Sequence, residues 1–226
     1  MPRWFVPAVV LALSAFLLSA GTLLYMLSGG GGHEPFRVLQ PDPLAAGLAV
    51  PDFTLVDQEG KSQTQALLDG RVTIIDFIFT HCPFACPGMT MAMSELQQQL
   101  AGTPVRFASF SVDPERDTPE RLRKFASDHD ADPARWTFLT GDRATVDRIV
   151  HDSLQFALQE DPDRKIDLPE GGQMSNITHP TKLVLVGPDR RVLGFYDPNR
   201  QEDMDKLLVR AKLAAQSAAS WTGGTR

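Results

Sequence analysis

The sequence predicts an α/β protein, a mixed sheet flanked by helices with an N-terminal hairpin and a late insertion, and three observations carry that prediction. Residues 71–79 form a nearly continuous apolar run of the kind buried on both faces of a sheet. Strand-like runs then alternate with segments of helical period through most of the chain. Finally, residues 181–186 and 192–196 are separated by the turn signal Gly187-Pro188-Asp189-Arg190-Arg191, which makes them a hairpin rather than another crossover unit.

In chain order, residues 53–56 and the turn Asp57-Gln58-Glu59-Gly60 open a hairpin leading to a short helix around residues 65–69. The buried strand at 71–79 follows. Met89, Met93, Leu96 and Leu100 then recur at helical spacing, so residues 87–100 read as a helix. Residues 105–112 give the next strand, and Thr118 as cap with Pro119 at the first position starts the next helix. A third strand fits residues 136–139 and a third helix residues 144–156. Residues 157–176 are polar and contain Gly171-Gly172, so they read as an insertion with a small hairpin. A last helix fits residues 202–218, giving the order β-α-β-α-β-α-β-β-α after the first hairpin.

Ahead of this pattern, residues 4–28 carry no charged side chain. As a helix they span roughly 37 Å, against about 30 Å for a hydrocarbon core, and so predict one N-terminal transmembrane helix within residues 1–28. A cleaved signal peptide is the alternative, with small residues at Ser19-Ala20-Gly21, but the apolar run continues beyond them to Leu27. The short tail before the run places the main domain outside the cytoplasm, on the periplasmic face of the inner membrane in a bacterium. Four glycines at 29–32 and a proline-bearing stretch predict a flexible linker over 29–49, then a domain over 50–220 and a tail over 221–226. The net charge of -6 argues against a general nucleic-acid binder, which would need a basic face to neutralise phosphates.

The chemistry concentrates in Cys82-Pro83-Phe84-Ala85-Cys86, which holds both cysteines of the chain. As a structural staple, so short a loop would contribute only about 2 kcal/mol, so the pair reads as reactive. It sits where a buried strand turns into a helix, and a helix start stabilises the thiolate that both disulfide exchange and metal binding require. This order of elements, with a dithiol at the first strand-to-helix turn, looks like the thioredoxin fold.

Two thiolates are soft ligands suited to Cu(I), and an imidazole would complete a three-coordinate site or support Cu(II). The histidines are His33, His81, His129, His151 and His179. His33 lies in the linker, His129 and His151 in polar helical segments, and His81 is adjacent to Cys82, a spacing that points its side chain elsewhere. His179 closes the insertion and precedes a strand; spacing leaves both a packing role and a ligand role open for it. Met89, Met91 and Met93 offer thioethers but read as packing, and Asp113, Glu115 and Asp117 read as turn and cap chemistry rather than an acidic docking edge.

Phe79-Thr80-His81-Cys82-Pro83-Phe84-Ala85-Cys86-Pro87, then Ser111-Val112-Asp113-Pro114-Glu115-Arg116-Asp117-Thr118-Pro119, then a late histidine before an apolar strand resemble the Sco/SenC family. The resemblance covers residues 50–218 and includes the anchor. It implies a thioredoxin-like fold, copper bound by Cys82, Cys86 and His179, and a metallochaperone role in assembling the CuA site of cytochrome c oxidase. The implied partners are the CuA-bearing oxidase subunit, a copper donor and a thiol reductant. Thiol-disulfide reduction by Cys82 and Cys86 is the alternative activity. The family often has Asp before the histidine where this chain has Thr178, and Pro180-Thr181 resembles the cis-proline element of thiol-disulfide oxidoreductases.

Overall fold

A computed structural model describes residues 40–84 and 86–218. Strands β1 (Thr54–Asp57), β2 (Ser62–Thr64), β3 (Thr73–Ile78), β4 (Arg106–Ser111) and β5 (Trp136–Thr140) are followed by β6 (Gln159–Asp167) and β7 (Gln173–Thr178), then β8 (Leu183–Val186) and β9 (Val192–Tyr196). Seven of them form one sheet in the order β2-β1-β5-β4-β3-β8-β9, while β6 and β7 pair separately. The helices are α1 (Cys86–Gln99), α2 (Pro119–Asp128), α3 (Arg143–Asp147) and α4 (Gln201–Ala218).

The centre of the sheet is built as its sequence demands. Every residue of β3 is buried, and β3, β4 and β5 run parallel, joined by the crossover helices α1 and α2. Met89, Met93 and Leu96 turn the apolar stripe of α1 into the core. Trp136 stacks on Phe138 with ring centroids 5.0 Å apart and donates its indole N–H to Ser109 Oγ at 2.8 Å. Thr118 caps α2 by accepting from the Arg121 N–H at 3.3 Å, with Pro119 at the first position as its residue type predicts.

This topology gathers three segments at one end. The loops after β3 and β4 both leave the carboxyl ends of parallel strands. β8 lies antiparallel to β3, with Ile75 opposite Val184 and Thr73 opposite Val186. The chain entering β8 therefore arrives beside the carboxyl end of β3, where the dithiol turn begins.

Some elements differ from expectation. The helix predicted over 144–156 is α-helical only through Asp147 and continues to Ser153 as a wider π-turn. The short helix around 65–69 is a 3-10 turn at Gln65–Leu67. Packing also begins inside the stretch whose composition marks it as linker: Ala45 is fully buried, the Asp42 N–H donates to Leu193 O at 2.8 Å, and Ala49 bridges Arg191. Glycine and proline there shape turns rather than a free tether. The predicted anchor, the linker before residue 40 and the tail lie outside the described residues. Among those described, no helix is long and apolar enough to cross a membrane.

Candidate metal centre

β3 ends in a turn, the Cys82 N–H donating to Phe79 O at 3.1 Å, and Cys86 is the first residue of α1. Behind this turn stands Asp117, fully buried. It accepts the Thr80 hydroxyl and the Ser111 hydroxyl, each at 2.6 Å, and the Thr80 N–H at 3.2 Å. One carboxylate thus ties the loop after β3 to the end of β4. Burial pushes its carboxyl up to about 6, with the Ser111 and Thr80 hydrogen bonds opposing the shift.

The third component comes from the opposite direction. The β6–β7 ladder closes with Gln159 opposite Thr178, and His179 follows immediately. Its ring stands edge-on to Phe79, centroids 5.5 Å apart, and its Nε2 lies 3.3 Å from Cys86 Sγ. His179 Nδ1 is 3.1 Å from Pro180 O; a carbonyl can only accept, so Nδ1 carries the proton and the Nε2 lone pair faces the sulfur. The donor atoms of Cys82, Cys86 and His179 all lie within 4.8 Å of one another, and all three residues are buried. Both cysteines are free thiols.

The two sulfurs are not equivalent. Cys82 accepts hydrogen bonds from the Cys86 thiol and from the backbone N–H groups of Cys86 and Phe84, which together bring its thiol down to about 4 against the opposing effect of burial. Cys86, nearly inaccessible and giving its proton to Cys82, is raised well above the ordinary thiol range. The helix start thus stabilises one thiolate, and the pair shares the remaining proton. Cys82 also lines a cavity of about 940 Å³ together with Thr80, His81, Arg121 and Lys165.

The other histidines lie elsewhere. His81 is turned toward α2 and the β6–β7 turn, where Arg121 contacts its ring and Glu170 Oε1 lies 3.7 Å from its Nε2. Burial, then the charge of Arg121, lowers its pKa. His129 Nδ1 bonds to Phe125 O at 2.8 Å and His151 Nε2 to Leu158 O at 2.9 Å; His33 lies outside the described residues. Met89 and Met93 are core, and Met91 is exposed. Asp113 and Asp117 are buried and form no docking edge. No peptide bond among the described residues is cis, so Pro180 does not reproduce a cis-proline element.

Two buried acids beside the site carry a signal of their own in the sequence. Asp76 is a lone acid within the apolar run of β3; it is fully buried, neither carboxylate oxygen has a hydrogen-bond partner among the described residues, and burial pushes it up to about 7. Asp117 was legible as turn chemistry but not as the buried anchor of Thr80.

Chemically, two sulfurs and an imidazole in a closed, low-dielectric site fit a single soft transition-metal ion in low coordination, and the same dithiol fits disulfide exchange. The comparisons point the same way. A family model described as SCO1/SenC matches residues 42–212. The SCO1 protein homolog of Bacillus subtilis strain 168 is 34% identical over 201 residues, covering 88% of this chain and 95% of that one. The solved structure of BsSco, described as a member of the Sco family of cytochrome c oxidase assembly proteins with a disulfide switch, is 35% identical with a TM-score of 0.62, covering 78% and 97% of the two chains. That of Bradyrhizobium japonicum ScoI with copper bound is 27% identical with a TM-score of 0.56, covering 76% and 99%. The predicted thioredoxin-like mixed sheet is the fold these structures share with it, and the chain belongs to the SCO1/SenC family.

Proposed function

We propose that this protein is a membrane-tethered copper metallochaperone that binds one copper ion through Cys82, Cys86 and His179 and assists assembly of the CuA site of cytochrome c oxidase. The observation that carries the reading is the convergence of two sulfurs and an Nε2 lone pair within 4.8 Å in a buried site. Membership of the family and the copper-bound relative support it. The N-terminal apolar segment holds the domain outside the cytoplasm, where the CuA-bearing subunit, a copper donor and a thiol reductant are its partners.

Copper is the cargo, and the residues dictate how it is taken up. Cys82 is already a thiolate at neutral pH, whereas Cys86 must give up its proton. Uptake therefore releases about one proton per ion, and affinity rises with pH through the neutral range. Two thiolates satisfy Cu(I); His179 supplies the borderline nitrogen that Cu(II) favours.

The test is anaerobic metal analysis and titration of the purified chain beside Cys82→Ser, Cys86→Ser and His179→Ala. One tight Cu(I) per chain is expected, lost in either serine variant, with His179→Ala weakening Cu(II) far more than Cu(I). Unchanged Cu(II) affinity in His179→Ala removes that residue from the site.

A second reading, thiol-disulfide reduction, is favoured by the lowered Cys82 thiol and its access to the cavity. Cys82 would attack a partner disulfide and displace one partner thiolate; Cys86, deprotonated, would then attack the Cys82 sulfur and release the second. The chain ends as a Cys82–Cys86 disulfide that a thiol reductant resets. A dithiol too weakly reducing to open a CuA-domain disulfide excludes this reading.

A further inference from the structure

At the other end of the parallel strands, away from the dithiol, lies a cavity of about 450 Å³ whose lining contains arginines and no acid. Arg71, Arg106 and Arg135 line it, with the hydroxyl of Thr73 and the side chain of Gln63. Arg106 sits beside Thr73 in the β3–β4 register, so these two groups are held by the central ladder. None of the three arginines has a carboxylate within ion-pair distance among the described residues, although the chain as a whole is acidic. Their hydrogen bonds go to backbone carbonyls: Arg71 to Ala66 O and Leu67 O, Arg106 to Ala134 O, and Arg135 to Gln97 O, Leu100 O and Val105 O.

Two further features separate this cavity from an ordinary basic surface. Thr73 is 1% exposed and its Oγ1 has no hydrogen-bond partner among the described residues. Arg135 Nε is likewise buried and unpaired, while its guanidinium is held over the Phe107 ring, 5.6 Å from the centroid. Buried polar groups ordinarily find partners, and three arginines lining one cavity with no acid among its lining residues leave their positive charge without a counter-anion there. An anionic ligand resolves both.

We infer that this cavity is a binding site for the phosphate group of a small phosphate monoester, with Arg71, Arg106 and Arg135 neutralising its charge and Thr73 donating its hydroxyl to a phosphate oxygen. A phosphate carries close to two negative charges and three acceptor oxygens, a better match to three cations than a single carboxylate. The volume exceeds what a phosphate alone fills, and falls in the range of small-molecule sites. The inference is independent of copper, since the cavity shares no residue with the metal centre.

The experiment is calorimetric titration of the full chain with inorganic phosphate and with glycerol 3-phosphate at constant ionic strength. One saturable site per chain is expected, weakened about tenfold in Thr73→Val and more in Arg106→Gln. Thermal melts accompany both variants: Thr73→Val removes an unpaired buried hydroxyl and is expected to melt no lower than the parent, which separates lost binding from lost folding. Tighter binding of the ester than of phosphate supports an organic ligand; equal binding supports recognition of the phosphate group alone. No saturable binding of either by about 10 mM, or binding unaltered in both variants, overturns the proposal.

Discussion

The dithiol turn and the β6–β7 hairpin supply one site from opposite kinds of structure. Cys82 and Cys86 bridge a strand buried over its whole length and a helix whose apolar stripe fills the core, with Asp117 clamping the loop from behind. His179 hangs from a ribbon that pairs with no strand of the main sheet; of the nine residues in β6, Ile166 alone is buried. The sulfur half cannot be displaced without disturbing the strand and helix it joins, whereas the imidazole half rides on a ribbon held to the core by side-chain packing of Ile166, Met174 and Ile177 and by no strand pairing with the main sheet. On the proposed copper site, the two sulfur ligands would thus be held by the core and the imidazole ligand by the insertion.

Disturbing the core half has the largest expected effect. Asp117→Ala leaves two hydroxyls and an N–H without their buried acceptor, and is expected to cost about 3–5 kcal/mol in urea unfolding while loosening Cu(I) binding. Parent-like stability and affinity would show that Asp117 does not hold the turn. Next in size is Asp76→Asn. The folded carboxyl is held at about 7 against 3.8, so its contribution to stability is fully present below 3.8 and is lost as pH rises through about 7. The asparagine variant should flatten the pH dependence across that window and be more stable than the parent at pH 8, by roughly 2–4 kcal/mol. A profile identical to the parent's would mean that Asp76 is not carried as a buried acid. The smallest effect belongs to the hairpin: Glu170, half exposed, meets Arg121 at 3.5 Å, and Glu170→Gln should change stability by about 0.5 kcal/mol or less and leave Cu(I) affinity unaltered. A large loss there would erase the distinction between the two halves.

The core half was also the more legible in sequence. A nearly continuous apolar run, interrupted by the acid Asp76, marks β3, and methionines and leucines at helical spacing mark α1, because burial imposes a pattern on residue type. The cap at Thr118 and the turn before β9 could be read from local chemistry alone. The dithiol stood out as the chain's sole cysteine pair. What sequence could not give was the approach of His179, since that depends on β8 running antiparallel to β3, a pairing between residues more than a hundred positions apart. Nor could it show that the two thiols differ: that follows from which sulfur receives the N–H groups at the start of α1 and which lies deeper. Composition likewise could not distinguish a loose tether from residues 42–49 packed against β9, because the decisive contacts are backbone hydrogen bonds.

The separate pairing of β6 and β7 also bears on how such a protein can diversify. The ladder is closed beside His179 by the Gln159–Thr178 pair, and a register shift between Asp161 and Lys165 already interrupts its middle. Residues can be added or removed at the tip at little expense, about 0.6 kcal/mol for each doubling of loop length, with the histidine left in place. The ribbon is thus a region whose surface can vary in length and composition while the position of His179 beside Cys86 is kept.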